Sequence, residues 1–294
     1  MASIAPSSQS VYKRAWQLFR QCALQLKIHL YSYHTLPMAV PHLASFVAFL
    51  SLKGFAPSTL ISYTSAIGYV HRLAAVPDTS SSFLVQKMLA GASKLSPSLD
   101  SRLPITSTIL ARLIRAIPTT VSNSYNCHLL RAMLVIAFHG LMRIGELTSS
   151  LNNPTALNLD QLQFFPDKIV LTIRQFKHNL MRQPLEIVMP RQADPDICPV
   201  HAKALYIKVR GYASGPLFCF PNNSPISRSF FTSNLKSLIS FIGFSTSLFK
   251  SHSLRIGGAS HYASLGYSDA QIRLLGRWKS DAFKKYIRSE RIHL

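Results

Sequence analysis

Acidic residues are scarce in this chain of 294 residues. It contains 11 aspartates and glutamates against 32 lysines and arginines, and the only glutamates are Glu146, Glu186 and Glu290. No two carboxylates stand at a spacing suited to two-metal nuclease chemistry. A glycine-rich loop ending in Gly-Lys-Ser or Gly-Lys-Thr, the motif that binds nucleotide phosphates, is also missing. We therefore expect chemistry without a metal ion, ATP or any other cofactor.

Cysteine is also rare, and its spacing excludes the usual cysteine frameworks. The four cysteines are scattered and form no paired motif, which argues against a disulfide scaffold and against a four-cysteine zinc site. Cys198 and His201 could supply two metal ligands, but no second pair with ligand spacing stands nearby. The sequence therefore predicts free thiols.

Long hydrophobic runs are missing as well. The longest, residues 37–52, is interrupted by Pro41, His42 and Ser45 and is shorter than the roughly 18 to 20 apolar residues of a membrane-spanning helix. The first residues also lack the apolar stretch of a secretory signal. We expect a soluble intracellular protein that has no membrane partner.

The chain does have a large positive charge, together with enough hydrophobic residues to fold. The formal net charge is +21, and 48% of the residues are hydrophobic, which is enough for a sizeable core. A folded protein with this charge usually has a polyanionic partner. That partner is either a nucleic acid or an anionic membrane surface, and the lack of a long apolar run favours nucleic acid.

A stretch rich in serine and proline, Ser93–Thr106, divides the chain. It predicts a helical domain over residues 1–92, a linker over 93–104 and a second domain over 105–294. The second domain should be mainly helical with one small antiparallel sheet.

One helix of the first domain could contact DNA. Apolar residues recur at helical spacing over residues 60–70, which predicts a helix with its apolar side in the core. Small hydroxyl groups and an arginine lie on another side of this helix, at Ser62, Ser65 and Arg72. That side is either solvated or lies against phosphates.

The second domain contains a predicted β-hairpin. Apolar residues alternate with others over 169–173 and again over 185–189. The connection between the two runs carries Lys177, which should lie at the tip of the hairpin. Arg174 and Arg182 are the neighbouring cations that could be confused with it.

The last third returns to helices and carries several residues suited to phosphate chemistry. A helix is predicted from Ser251 to a stop at Gly266, and His252 and Arg255, three residues apart, share one face of it. The glycine pair in its middle, residues 257 and 258, would let it approach a neighbouring backbone closely. Ser268 with Gln271 forms a capping box that begins the next short helix.

Three further residues complete the candidate set. Arg143 follows an apolar helix and needs an anionic partner if it is buried. Glu146 is interpreted as a structural residue that either orients Arg143 or caps a neighbouring helix. Tyr286 stands beside Lys284 and Lys285, two cations that could hold DNA. Taken alone, a tyrosine beside Phe283 and Ile287 is more often a half-buried packing residue than a functional one.

The order of these motifs resembles the tyrosine recombinase (phage integrase) family. The segments are G-L-M-R-I-G-E-L with Arg143, the turn with Lys177, H-S-L-R, L-G-R-W, and finally Tyr286. The resemblance covers about residues 103–288. The form G-R-W-K-S-D-A-F-x-x-Y-I looks most like recombinases of eukaryotic mobile elements of the DIRS and Crypton type.

The resemblance implies a fold and a reaction. The fold would be mainly α with a small antiparallel sheet, in which a helical core-binding (SAM-like) domain precedes the catalytic domain. The reaction would be site-specific DNA recombination or integration through a 3′-phosphotyrosyl intermediate. Partners would be double-stranded DNA and further copies of the chain, as a homodimer or homotetramer on DNA. The location would be the nucleus in a eukaryote and the cytoplasm otherwise.

The resemblance also implies a role for each residue of the candidate set. Tyr286 would attack the phosphodiester, Arg143 and Arg255 would clamp its non-bridging oxygens, Lys177 would protonate the leaving 5′-oxygen, and His252 would assist proton transfer. Arg174, Lys284 and Lys285, with Ser62, Ser65 and Arg72, would contact DNA.

One position departs from the family pattern. The family has a histidine or tryptophan about nine residues before the nucleophile, where this chain has Arg277 followed by Trp278. Either could donate a hydrogen bond to the phosphate. Trp278 is the better match in residue type, with Arg277 as the alternative.

Two other functions remain open from the sequence. A type IB topoisomerase uses a similar set of arginine, lysine, histidine and tyrosine. A non-catalytic DNA-binding protein derived from a mobile element could retain the same residues.

Overall fold

The computed structural model describes residues 6–26, 36–96, 100–149, 157–174 and 183–287. The chain divides into two compact units, Met1–Asp100 and Ser101–Leu294. The division falls inside the predicted linker, although the first three residues of that linker still belong to a helix of the first unit.

The first unit is helical. Its helices are α1 (Pro6–Gln25), α2 (Val40–Leu52), α3 (Pro57–Leu73) and α4 (Phe83–Leu95), with a 3₁₀ turn at Thr79–Ser81. Both α2 and α3 have proline in the first turn, where a missing N–H costs no hydrogen bond. The predicted helix of residues 60–70 is therefore confirmed as α3, with Leu60 and Ile67 fully buried. Among the described helices of the chain, none has the length and apolar character needed to cross a membrane.

The second unit is mainly helical around one small sheet. Its elements are α5 (Ser107–Thr120), α6 (Ser124–His139), α7 (Ile144–Leu147), a 3₁₀ turn at Leu159–Gln161, β1 (Leu162–Phe164), β2 (Lys168–Ile173), β3 (Leu185–Pro190), α8 (Pro199–Arg210), α9 (Arg228–Phe241), α10 (Ser251–Ser264), α11 (Asp269–Leu275) and a 3₁₀ helix at Asp281–Lys285. The four cysteines of the chain are free, as predicted.

The sheet confirms the predicted hairpin. The strands lie in the order β1-β2-β3, all antiparallel. In β2 and β3 the alternating apolar residues face each other, with Ile169 opposite Met189 and Leu171 opposite Ile187, and these side chains are buried. Strand β1 was not predicted because three residues are too few for an alternating pattern. The connection between β2 and β3, residues 175–182, lies outside the described residues and includes Lys177.

Helix α10 lies against two other backbones at its glycine pair. A Cβ at Gly257 would be 1.7 Å from the carbonyl oxygen of Ile105, and a Cβ at Gly258 would be 2.2 Å from that of Phe138. No other residue fits at these distances. Gly258 thus lets the middle of α10 lie next to the end of α6.

The ends of the last helices agree with the capping signals, with one correction. Helix α10 stops just before Gly266, whose φ is +83°, and Ser268 and Gln271 form the predicted capping box of α11. Ser251, predicted as the N-cap of α10, is instead its first helical residue, and Lys250 occupies the N-cap position. The polar side chain that serves this end is Ser253, whose hydroxyl accepts from the N–H of Lys250 at 3.0 Å.

Candidate active site

Tyr286 and His252 lie in direct contact although 34 residues separate them. The phenolic oxygen is 2.8 Å from Nε2 of His252, and the two ring centroids are 5.0 Å apart. His252 is in the first turn of α10, and Tyr286 directly follows the last 3₁₀ helix, where its N–H donates to the carbonyl oxygen of Phe283. The contact supplies a proton partner for the hydroxyl.

A small apolar cluster holds the segment that carries Tyr286. Phe283, 1% exposed, is buried with Leu141, Ala259, Tyr262 and Ile272, and Tyr286 packs against this cluster. The hydroxyl of Ser260, on α10, donates to the carbonyl oxygen of Tyr286 at 3.0 Å. Both main chain and side chain of Tyr286 are therefore tied to α10.

Arg255, one turn after His252, is buried with only 1% of its surface exposed. Its guanidinium donates to the carbonyl oxygens of Leu141, at 2.8 Å, and of Gly276. Burial and repulsion from Arg143 and Arg277 lower the pKa of Arg255 to about 9, so it is still a cation at neutral pH. A nearby anion would relieve this electrostatic cost.

Trp278 lies between Arg255 and Tyr286. The guanidinium carbon of Arg255 is 4.2 Å from the indole centroid, within the range of a cation–π contact. The indole and phenol centroids are 5.2 Å apart, with an interplanar angle of 39°. The indole is therefore in contact with both of the groups to which the sequence assigns central roles.

Arg143 and Glu146 form the interaction that the sequence predicted for them. Arg143 is the N-cap residue of α7, and Glu146 accepts from its main-chain N–H at 2.8 Å and from its guanidinium at 3.1 Å. Burial alone would raise the pKa of Glu146, but Arg277 and Arg143 outweigh burial and hold that pKa below its usual value. Glu146 is thus an anion, and 30% of the Arg143 side chain stays exposed.

Both terminal nitrogens of Arg277 donate to protein oxygens, whereas its Nε is buried without a hydrogen-bond partner. Arg277 donates to Glu146 at 2.7 Å and to the carbonyl oxygens of Gly140, Leu141 and Leu275 at 3.2, 3.0 and 2.8 Å. Its side chain has no exposed surface. Trp278, the preferred candidate for the sixth position, is partly exposed, and the choice between it and Arg277 stays a prediction.

The site carries an excess of positive charge. Three guanidinium groups, of Arg143, Arg255 and Arg277, act on the single carboxylate of Glu146, which leaves two positive charges in excess among these residues. Such a cluster attracts an anion with several oxygens, such as a phosphodiester. Among the described residues, no group of three or more histidine, cysteine, aspartate and glutamate side chains could hold a metal ion.

The other predicted DNA contacts of the second unit lie at its surface. Arg174, at the end of β2, forms an ion pair with Asp160 at 2.8 Å, and both side chains are more than half exposed. Lys284 lies 3.8 Å from both Asp269 and Asp281. Lys285 is exposed next to Tyr286. Lys177 lies outside the described residues, so its prediction stands as made.

In the first unit, the three residues predicted to contact DNA are exposed on α3, but the charge of the arginine among them is offset by a neighbouring aspartate. Ser62 and Ser65 are exposed, and the Ser62 hydroxyl donates to the carbonyl oxygen of Ser58. Arg72 forms an ion pair with Asp78, which offsets its charge. Periodicity could not reveal this pair, because Asp78 lies beyond the helix end.

Sequence reasoning missed three features of the site. One is the multiple hydrogen bonding of Arg277, and another is the bond from Ser260 to the main chain of Tyr286. The third is the carbonyl oxygen of Leu141, which accepts from both Arg255 and Arg277. The spacing of nine residues before Tyr286 singled out Arg277, but no sequence signal pointed to its partners or to the other two features.

Comparisons with known proteins identify solved structures that have a similar fold. The sequence matches no protein-family model and no curated protein. Solved structures do match. A Tn1549 transposon integrase in complex with circular intermediate DNA is similar with a TM-score of 0.69 and 13% identity, covering 98% of this chain and 91% of that one.

Two further structures have the same architecture. A lambda integrase dimer bound to a COC' core site gives a TM-score of 0.63 at 15% identity, over 99% of this chain and 74% of that one. The XerH site-specific recombinase bound to difH substrate gives 0.65 at 12% identity, over 95% and 75%. The predicted fold class, a helical domain followed by a mainly helical domain with a small antiparallel sheet, is confirmed.

Proposed function

We propose that this chain, which has the fold of the tyrosine recombinases, is a site-specific DNA recombinase that cleaves and rejoins DNA through a covalent bond to Tyr286. The observation that carries this proposal is the 2.8 Å contact between the Tyr286 hydroxyl and His252, next to the buried cation Arg255. A phenol, a proton partner and fixed cations are the parts that a phosphoryl transfer without metal requires.

The first step is an in-line attack on a DNA phosphodiester. The oxygen of Tyr286 forms a bond to phosphorus as the bond to the 5′-oxygen breaks, and the phenolic proton moves to Nε2 of His252. The product is a 3′-phosphotyrosyl bond and a DNA strand with a free 5′-hydroxyl. The 5′-oxygen takes its proton from a general acid, the role assigned to Lys177. The reverse reaction with a different 5′-hydroxyl joins two strands without ATP, because the energy of the broken bond is kept in the phosphotyrosyl link.

The arginines act on the charge that develops on phosphorus oxygens. Arg255 is preorganised, since the carbonyl oxygens of Leu141 and Gly276 and the Trp278 ring hold its plane. Arg143 is held from one side by Glu146 and is 30% exposed on the other, so DNA can reach it. One such donor typically contributes about 3 to 4 kcal/mol to the transition state. Trp278 supplies an indole N–H and a wall against which the phenol packs.

Double-stranded DNA is the substrate that fits the charge of the whole chain. The net charge of +21 favours binding to phosphates along a duplex, with an affinity that falls steeply with salt. In the first unit, α1 contributes Lys13, Arg14 and Arg20, which are exposed on a helix that has no acidic residue. The solved structures of similar fold include a lambda integrase dimer on a core site and a tetramer on a Holliday junction. For this chain we propose the same kind of partner, DNA bound by two or four copies.

The test is covalent trapping on DNA. Labelled duplexes of randomised sequence, each carrying a nick that lets the short cleaved strand diffuse away, are incubated with the full chain without metal or ATP. We expect a complex that survives denaturing electrophoresis, with the DNA attached to Tyr286 in its mass spectrum. The Tyr286→Phe variant should form no complex. Tyr267→Phe, which changes a partly exposed tyrosine in the turn before α11, should form it normally.

Two results would contradict the proposal. One is an adduct that persists in Tyr286→Phe, and the other is DNA binding without any adduct, which would indicate the binding-only function. Relaxation of supercoiled plasmid by a monomer, without sequence preference, would favour the topoisomerase instead.

A further inference from the structure

Arg277 occupies an unusual position for a charged residue. It directly follows α11, its side chain has no exposed surface, and its φ is +56°, a left-handed backbone conformation that few residues other than glycine adopt. Burying a cation in this way is unfavourable unless it is fully paired. Arg277 thus carries two energetic costs, a buried charge and a left-handed backbone, and its contacts must offset both.

The contacts of Arg277 join two segments that are more than 130 residues apart. One guanidinium nitrogen donates to Leu141 and Glu146, and the other donates to Gly140 and Leu275. Gly140 and Leu141 form the turn that leads from α6 to Arg143. Arg277 itself leads through Trp278 to the segment of Tyr286. A single side chain therefore connects the part of the site with Arg143 to the part with the tyrosine.

Glu146 is the central partner in this connection. One of its oxygens accepts from Arg277 at 2.7 Å and from the main-chain N–H of Arg143 at 2.8 Å, and the other accepts from the Arg143 guanidinium at 3.1 Å. Without Arg277, the charge of Glu146 would be balanced only by Arg143 and the more distant Arg255, and it would offset more of the charge that Arg143 offers to a phosphate. With Arg277 present, Glu146 orients Arg143 and leaves its charge available.

We propose that Arg277 is a positioning residue that acts through Glu146 on Arg143 and that it makes no contact with the phosphate. This proposal rests on the proposed function, because it names what Arg277 does for the same reaction. It separates Arg277 from the other two arginines by its hydrogen bonds and not by burial, since Arg255 is itself only 1% exposed. The terminal nitrogens of Arg277 donate to four protein oxygens, one of them the Glu146 carboxylate that orients Arg143, whereas those of Arg255 donate to two.

The first test measures Glu146 itself and requires no activity. The chain has only three glutamates, so carboxyl-labelled glutamate gives three signals by NMR, and Glu146→Gln identifies one of them. The charged groups that act on Glu146 are Arg277, Arg143 and Arg255. We expect Glu146 to titrate at a higher pH in Arg277→Asn than in the wild type, because one of these cations is gone.

The variants are chosen so that folding does not decide the result. Asparagine tolerates the left-handed backbone of position 277 and removes only the cation. Arg277→Lys keeps a positive charge but loses the forked hydrogen bonds, and we expect its Glu146 to titrate between wild type and Arg277→Asn. Arg273→Asn removes an exposed arginine from α11 and should leave the titration unchanged. A Glu146 titration that is the same in all four proteins would overturn the proposal.

The second test measures cleavage and DNA affinity together. In single turnovers on the trapped duplex, Arg277→Asn should lower the cleavage rate on the order of 100-fold and leave the dissociation constant for DNA within a few-fold. The loss should be smaller at Arg277→Lys. In the double variant Glu146→Gln, Arg277→Asn, cleavage should be no slower than in the more impaired single variant.

The outcomes separate this proposal from its rival and from the proposed function. A DNA affinity that falls in parallel with cleavage, with a smaller salt dependence, would make Arg277 a phosphate ligand and overturn the positioning role. Losses that add in the double variant would also overturn it, because they would show that Arg277 does not act through Glu146. If the wild type forms no adduct, the proposed function fails, and the Glu146 titration still decides whether Arg277 controls that carboxylate.

Discussion

Arg255 and Arg277 donate hydrogen bonds to the same carbonyl oxygen, that of Leu141, at 2.8 and 3.0 Å. Two cations that share one acceptor repel each other, and this repulsion contributes to the lowered pKa of Arg255. The fold tolerates the arrangement because Glu146 and several other carbonyl oxygens balance the charge. The site is thus built with positive charge in place before any substrate arrives, which is the condition for electrostatic stabilisation of a phosphoryl transition state.

Removal of the imidazole should impair cleavage. His252→Ala deletes the group 2.8 Å from the Tyr286 hydroxyl, so the phenolic proton loses its acceptor. We expect single-turnover adduct formation to slow by about 10²- to 10⁴-fold, the usual contribution of a general base. DNA affinity should stay near wild type. His201→Ala, at the start of α8, is the control, and an unchanged rate in His252→Ala would show that the contact is only structural.

Arg143→Ala should separate binding from catalysis. The side chain is 30% exposed and pairs only with Glu146 among the described residues, so its loss removes little packing. We expect adduct formation to fall by about 10²- to 10³-fold with little change in DNA affinity. Arg191→Ala, an exposed arginine after β3, should have no such effect. Equal losses of binding and cleavage would contradict a role in the transition state.

Arg255→Ala should damage both catalysis and stability. The substitution leaves the carbonyl oxygens of Leu141 and Gly276 buried without their donor, and each costs about 1 to 3 kcal/mol. We therefore expect a clear drop in melting temperature together with the loss of cleavage. A variant that loses cleavage while it melts like the wild type would show that these two bonds contribute nothing to folding.

Gly258→Ala tests the close approach of α10 to α6. A Cβ there would lie 2.2 Å from the carbonyl oxygen of Phe138, so the helix must shift, at a cost of about 1 to 3 kcal/mol. Gly91→Ala is the matched control, because it sits in α4 with no atom within 4 Å of the added carbon and should stabilise its helix by about 0.5 to 1 kcal/mol. Calorimetry of both variants should show opposite signs. Equal effects would refute the steric argument.

His139 should make stability depend on pH. Burial, with repulsion from His261, lowers its pKa from 6.5 to about 4. Between these values the unfolded chain binds a proton that the folded chain does not, so stability is complete above pH 6.5 and falls as the pH drops toward 4, by about 3 kcal/mol in total. Denaturant unfolding at pH 7 and pH 5 should measure about 2 kcal/mol of this loss. His139→Asn should flatten the difference, and an unchanged difference would assign it to other groups.

Local patterns predicted the elements of this chain because each depends on near neighbours. Alternation over 169–173 and 185–189 predicted β2 and β3, since the side-chain period of a strand is visible in six residues. The capping box of Ser268 and Gln271 predicted the start of α11, since both groups lie within one turn. Strand β1 was missed because three residues show no recognisable alternation, and they are defined as a strand only by their pairing with β2.

The sequence identified residues of the candidate site but only some of the contacts between them. Motif order indicated His252, Arg255 and Tyr286, and the structure brings these side chains together. The sequence did not indicate that Arg72 pairs with Asp78 or that Arg277 is buried, because the formal charge of a residue carries no information on what surrounds it.

By itself, the amino-acid sequence determined the helical and strand periods, the excess of positive charge, the absence of paired carboxylates and the chemical types available for catalysis. Tertiary structure alone decided which cations stay partly exposed and which are buried. Arg143 and Arg277 carry the same group, yet one is open and the other enclosed. The physical reason is that most hydrogen-bond partners of Arg277 come from residues more than 130 positions away, and only folding brings Gly140, Leu141 and Glu146 to it.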